Sequence, residues 1–323
     1  MMMMMELQVL LCLFALIAAV CCVPPIGTQP EQVHISYPGV KNSMLVTWST
    51  ANKTESIVEY GLWGEKLFSH TAKGNSSVFT DGGLEKRTMY IHRVTLTDLI
   101  PTASYVYHCG SDAGWSDIFY FTSLNESVSF SPRFALFGDM GNENPHNFSH
   151  YKSRFSMPGH TENLWYSWNV GPAHIISFST EVYFYLEYGL DLLFRQYEWL
   201  QADLQEANRP ENRAQRPWII TMGHRPMYCS NDDGDDCTHF QSYEWIWSSG
   251  LMNTHMRDSG PSTITRCLTG ALKSRISTDY GYTRMRLINT THLYLEQVSD
   301  DQYGKVIDQM TLVKEKHGAD AWR

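Results

Sequence analysis

Apolar and polar positions give the chain two different textures. From residue 26 to about residue 124, short runs alternate between them: "QVHISYPG", "SMLVTWST", "SIVEYGLW", "YIHRVTLTDL", "SYVYHCGS" and "DIFYFTSL", separated by Gly, Pro, Asn and Asp. Successive strand side chains point to opposite faces, so this alternation predicts strands with one buried face. Several of them at regular spacing predict an all-β sandwich. After "SLNESVSFSPR" the texture changes, and "RFALFGDMG", "AHIISFSTEVYF" and "RPWIITMGHRPMY" are unbroken apolar runs bounded by turns. Such runs predict strands buried on both faces, as in a layered α/β domain, here placed over residues 130–315. Between the last two runs, Leu193, Tyr197, Leu200 and Leu204 recur at helical spacing and Pro210 follows. That spacing predicts an amphipathic helix whose stripe is core.

Length and composition narrow the picture. The chain has 323 residues, enough for two domains, and is 43% hydrophobic and 18% charged, as globular chains with real cores are. A net charge of -9 argues against a nucleic-acid partner, which requires a basic face. The opening "MMMMMELQVLLCLFALIAAVCCVPP" holds an apolar run closed by Pro24 and Pro25. It reads as a signal peptide over residues 1–23, although Glu6 stands where a basic residue is usual. The run is short for a membrane span, and no later segment is apolar enough for one. Secretion fits the glycosylation sequons at Asn52, Asn75, Asn125, Asn147 and Asn289. In an oxidising compartment, the polar loop "CSNDDGDDC" predicts a Cys229–Cys237 disulfide, with a metal clip as the rival. The pairing of Cys109 and Cys267 stays open.

Two residues carry the chemistry. Asp139 in "GDMG" and His224 in "MGHRPMYCS" each follow a predicted buried strand and a glycine. Carboxylates supply hard oxygen, imidazoles suit zinc or iron, and two metals about 3.5–4 Å apart can clamp a phosphate while activating water. Taken singly, each is as easily a turn aspartate or a core histidine.

The surrounding text decides between these readings. "SPRFALFGDMG", "NFSHYKSRFSMPG", "NLWYSWNVGPAHIISFSTEVYF", "RQYEWLQADLQEAN", "RPWIITMGHRPMYCSN", "DYGYTRMRL" and "QVSDDQYGKVID" resemble a purple acid phosphatase of the metallophosphoesterase superfamily, in its secreted animal branch, acid phosphatase type 7. The resemblance spans most of residues 26–313. It implies a fibronectin-like β-sandwich over 26–124, then a metallophosphoesterase α/β sandwich. It also implies a dinuclear centre of Fe(III) with a divalent ion such as Zn, and hydrolysis of small phosphate monoesters at acid pH. Asp139 would ligate the ferric ion and His224 the divalent one.

The rest of the family's ligand strings are missing. "GDxxY" and "GNHE" do not occur, and the text runs from Pro145 straight into His146, which in the family lies beyond "GNHE". A block is therefore expected to be absent at 145/146. The final family motif, "HxHxYER", should follow the Cys229–Cys237 loop; instead there is "THFQSYEWIWSSGLMNTHMRDSGPSTITR". Joining the third base of each codon to the first two of the next, with a free choice of synonyms, lets residues 247–266 encode "ELWAHEHSYERLWPIYNYQ". Residues 236–274 thus read as translated out of frame, so His239 and His255 are not taken as ligands. A truncated metallophosphoesterase with little phosphatase activity is the expectation. Two alternatives stand beside it: an incomplete gene model of an intact enzyme, and a non-catalytic secreted glycoprotein that acts by binding.

Overall fold

The computed structural model describes residues 27–65, 67–137, 149–183, 190–224, 263–267 (backbone only) and 279–314. The chain divides into two compact units. The first holds β1 (Glu31–Ser36), β2 (Met44–Thr50), β3 (Ile57–Leu62), β4 (His70–Lys73), β5 (Asn75–Thr80), β6 (Thr88–Leu96), β7 (Ser104–Ser111), β8 (Gly114–Trp115) and β9 (Phe119–Thr122). They make two sheets, in the orders β1-β2-β6-β5 and β4-β3-β7-β8, with β9 paired to β7. In "SYVYHCGS" Tyr105, Tyr107 and Cys109 are buried as the alternation predicts, but Val106 between them is buried as well, so β7 is covered on both faces; Tyr105 stacks on Phe121 with ring centroids 5.6 Å apart. Cys109 is a free, buried thiol, and burial pushes its pKa up to about 12.

β4 and β5 form one extended edge that leaves the second sheet and joins the first at Gly74. Only glycine fits there, because a Cβ would lie 1.9 Å from the Arg93 carbonyl oxygen. On β2 and β6, fully buried His92 stacks on Trp48 with centroids 4.9 Å apart and planes 4° from parallel. Its Nε2 lies 2.8 Å from Thr50 Oγ1 and its Nδ1 2.8 Å from Ser56 Oγ. Thr50 donates its only hydroxyl proton to the Asn52 carbonyl at 2.7 Å. Nε2 must therefore donate to Thr50 while bare Nδ1 accepts from Ser56, which fixes the tautomer of a neutral ring. Burial lowers its pKa to about 4.

The second unit begins its regular structure with β10 (Arg133–Leu136) and a short helix, α1 (Ser149–Arg154). β11 (Tyr166–Val170), β12 (Ala173–Ser177), a 3-10 turn (Glu181–Tyr183), α2 (Asp191–Ala207), α3 (Pro210–Gln215) and β13 (Trp218–Gly223) follow. β14 (Thr263–Cys267), β15 (Gly281–Leu287), β16 (His292–Ser299) and β17 (Lys305–Val313) complete it. One sheet runs β11-β12-β13-β14, with β12, β13 and β14 parallel; the other is an antiparallel β10-β15-β16-β17. β14 falls in the window that reads as out of frame, yet its backbone pairs with β13 from Ile219 opposite Thr263 to Gly223 opposite Cys267.

The unbroken apolar runs are explained by two cores, one on each face of the parallel sheet. Ala173, Ile175, Trp218 and Ile220 pack against Met285, Leu287, Leu293 and Leu295 of the antiparallel sheet. Ile176 and Ile219, on the opposite face, pack under Leu200, Leu204 and Ala207 of α2. Burying a leucine of this kind contributes about 1.5–3 kcal/mol. Of the predicted stripe, Leu200 and Leu204 are core, Leu193 packs half-buried against it and Tyr197 is half-buried; Gln196, fully buried, is an addition.

Candidate metal centre

Two strand directions define where a site can form. β10 runs antiparallel to β15, with Arg133 opposite Arg286 and Leu136 opposite Thr283. β13 starts beside the same region, since the Trp218 indole N–H donates to the Asn289 carbonyl at 2.9 Å, just past the end of β15. Further ties cluster at this end. Ser131 Oγ donates to the Leu287 carbonyl at 2.6 Å, and Lys314 Nζ donates to the Pro217 carbonyl at 2.6 Å. β10 and β13 thus start at one end of the two-sheet stack and run to the other, as do β12 and β14, which lie parallel to β13. The carboxyl ends of β10, β12, β13 and β14 share that far end.

His224 is the residue immediately after β13, and it is exposed. The chain leading to it is tightly fitted. A Cβ on Gly223 would lie 2.8 Å from Thr180 Cγ2 and 3.3 Å from the Phe178 ring, so glycine is required for the strand to pass. Phe178 donates its backbone N–H to the Met222 carbonyl at 3.0 Å, which keeps the segment after β12 against the end of β13. β10 ends at Leu136, and Asp139, three residues on, lies outside the described residues. Cys229, Cys237, Asn147 and the signal-like residues 1–23 are also outside them. Among the described residues, no group of three or more His, Cys, Asp or Glu could hold a metal. Of the remaining sequons, Asn52, Asn75 and Asn289 are exposed and Asn125 is half-buried. His160, which falls at no ligand spacing in the sequence, is exposed.

On the antiparallel sheet, Asp279 comes just before β15 at the same far end. It accepts from Ser299 Oγ and Gln302 Nε2, both at 2.6 Å, and these bonds hold its pKa below the usual carboxylate value. At the stapled end, His174 Nε2 lies 2.8 Å from Asp203 Oδ2, and Ser167 donates to the other Asp203 oxygen at 2.6 Å. This links β11, β12 and α2, but Ser and His share only the carboxylate, so it is a structural tie and not a nucleophile with its base.

Four strands of a two-sheet α/β stack finish at one end, and His224 leaves one of them; comparison with known proteins gives the class, a metallophosphoesterase. The family model for the purple acid phosphatase N-terminal domain matches residues 30–123, that for calcineurin-like phosphoesterases matches 105–248, and that for iron/zinc purple acid phosphatase-like protein C matches 271–309. The chain belongs to the purple acid phosphatase family. It is 56% identical to acid phosphatase type 7 of Danio rerio over an alignment of 418 residues, covering 93% of this chain and 94% of the relative. It is 38% identical to the Homo sapiens acid phosphatase type 7, covering 90% and 92% respectively. The 418-residue alignment is longer than this chain of 323, so the relative carries residues that face gaps here. Among solved structures, purple acid phosphatase PPD1 from yellow lupin (Lupinus luteus) seeds superposes with a TM-score of 0.64 at 16% identity, over 88% of this chain and 74% of that one. By family, therefore, this is an acid phosphatase whose class acts on small phosphate esters through a dinuclear metal centre. Among the described residues, no helix is long and apolar enough to cross a membrane.

Proposed function

We propose that this chain is a secreted purple acid phosphatase for small phosphate monoesters whose turnover is impaired because it keeps only part of its iron–zinc centre. The observation that carries this is the shared far end of β10 and β13. In the sequence Asp139 follows the first strand by three residues and His224 follows the second directly, so a carboxylate and an imidazole come after two strands that end on the same side. The donor types fit such a centre, but their number fits only part of it, because "GDxxY", "GNHE" and "HxHxYER" are absent from the sequence. The 418-residue alignment requires gaps in this chain, as a missing block would produce, and the calcineurin-like match ends at residue 248, inside 236–274. When fully bound, the two metals supply Lewis acidity and an activated water. Two donors do not hold two metals at catalytic affinity. Secretion is supported by the signal-like opening and by the sequons, and the Cys229–Cys237 disulfide belongs to the same reading.

The test is p-nitrophenyl phosphate hydrolysis at acid pH with iron and zinc supplied, together with metal content of the purified chain. We expect well under two metals per chain and turnover far below that of an intact relative. Two metals per chain with matching turnover would refute impairment. No metal at all would favour the alternative, a secreted glycoprotein that acts by binding.

A further inference from the structure

Gln196 lies on α2 within the apolar stripe that faces the parallel sheet, and it is completely buried. Its side-chain amide closes on one backbone residue. Oε1 accepts from the Ser179 N–H at 2.8 Å, and Nε2 donates to the Ser179 carbonyl at 2.8 Å. An apolar side chain of the same size would strip both backbone groups of half-buried Ser179 of these partners.

We propose that Gln196 is a positioning residue for His224. Ser179 sits between Phe178, which bonds to Met222, and Thr180, whose methyl group closes on Gly223. The 3-10 turn then locks this stretch, with the Tyr183 N–H donating to the Thr180 carbonyl at 3.1 Å. A displacement of Ser179 therefore moves both residues that define the exit of β13, and His224 is the next residue along. Gln196 touches no reacting atom. It acts by holding the segment after β12 against β13, so that the imidazole leaves the sheet at a fixed place. This rests on the reading of His224 as a ligand of the divalent metal.

The test is titration of the purified full chain with zinc alone, beside Q196L and Q196E, at about pH 5.5 and about pH 7.5, each variant scored as its ratio to wild type. Supporting residues behind a metal ligand change affinity by about 10–100-fold, and Q196L is expected to lose at least about tenfold. A buried glutamic acid stays protonated well above its usual range and can then both accept from and donate to Ser179, whereas its ionised form only accepts. Q196E should therefore match wild type within about twofold at the lower pH and fall toward Q196L at the higher one. A purely structural defect would not restore binding with acid. If wild type binds zinc and Q196L binds equally well, or if Q196E is equally impaired at both pH values, the assignment is overturned while the ligand reading stands. If wild type binds no zinc, the ligand reading of His224 fails and the assignment fails with it. Should Q196L not fold, the Q196E ratio decides.

Discussion

The pH response of the β-sandwich can be worked out from His92. In the folded chain the ring is neutral, both nitrogens are satisfied by hydroxyls, and burial lowers its pKa from 6.5 to about 4. Protonation would place a hydrogen on Nδ1, where Ser56 already points one. In the unfolded chain the ring takes its proton near the ordinary value. Between about pH 6.5 and 4 the unfolded state thus holds a proton that the folded state refuses, so stability falls as pH drops through that window. The total corresponds to roughly 3 kcal/mol, a large part of a typical domain's stability. Replacing His92 with Phe keeps a ring against Trp48 but removes the titration. Thr50 keeps its bond to Asn52, whereas Ser56 loses its acceptor, so H92F should be about 1–3 kcal/mol less stable at neutral pH. That deficit should shrink by roughly 3 kcal/mol toward pH 4 and can change sign there. Urea unfolding followed by hydrogen exchange of peptides from β6 reads this locally. A deficit that stays constant from neutral to acid pH would refute the reasoning.

Two further outcomes are expected. G74A should destabilise the sandwich by more than about 2 kcal/mol, because the new Cβ meets backbone rather than a movable side chain, and a thermal or chemical melt of the first unit reads this. The transcript should show a frame change on each side of residues 236–274 and a missing block between the codons for Pro145 and His146. Direct sequencing checks both, and an uninterrupted frame closes the frame hypothesis.

The parts of the fold that were legible in the sequence are those dense in apolar and aromatic residues. β2 is buried along its whole length and β7 along most of it, and Leu200 and Leu204 mark the core side of α2. β4 and β5 were missed because "HTAKGNSSVFT" is an edge: most of its residues are exposed, and its glycine, which looks like a break, is the crossing point. β15 to β17 were read as family text, although β15 alternates strictly, with Thr283, Met285 and Leu287 buried and Arg284 and Arg286 exposed, so its strand signal was present in the sequence. His224 follows a strand run as the sequence suggests, while Asp139 lies outside the described residues. Gln196 was not, because a glutamine in a helix reads as solvent-facing. Its position three after Leu193 and four before Leu200, inside the buried stripe, was the available signal.

The ties at the Asn289 end have a wider consequence. Trp218, Lys314 and Ser131 fasten the two sheets of the second unit at the end away from where β10 and β13 finish. Both breaks in the family text, at 145/146 and in 236–274, follow strands that exit at the opposite end. The ties at the Asn289 end lie outside both breaks, although the second break includes β14 of the parallel sheet, so such a scaffold can outlive its own chemistry. A lineage could lose its catalysis and still inherit a foldable shell, free to be put to other use.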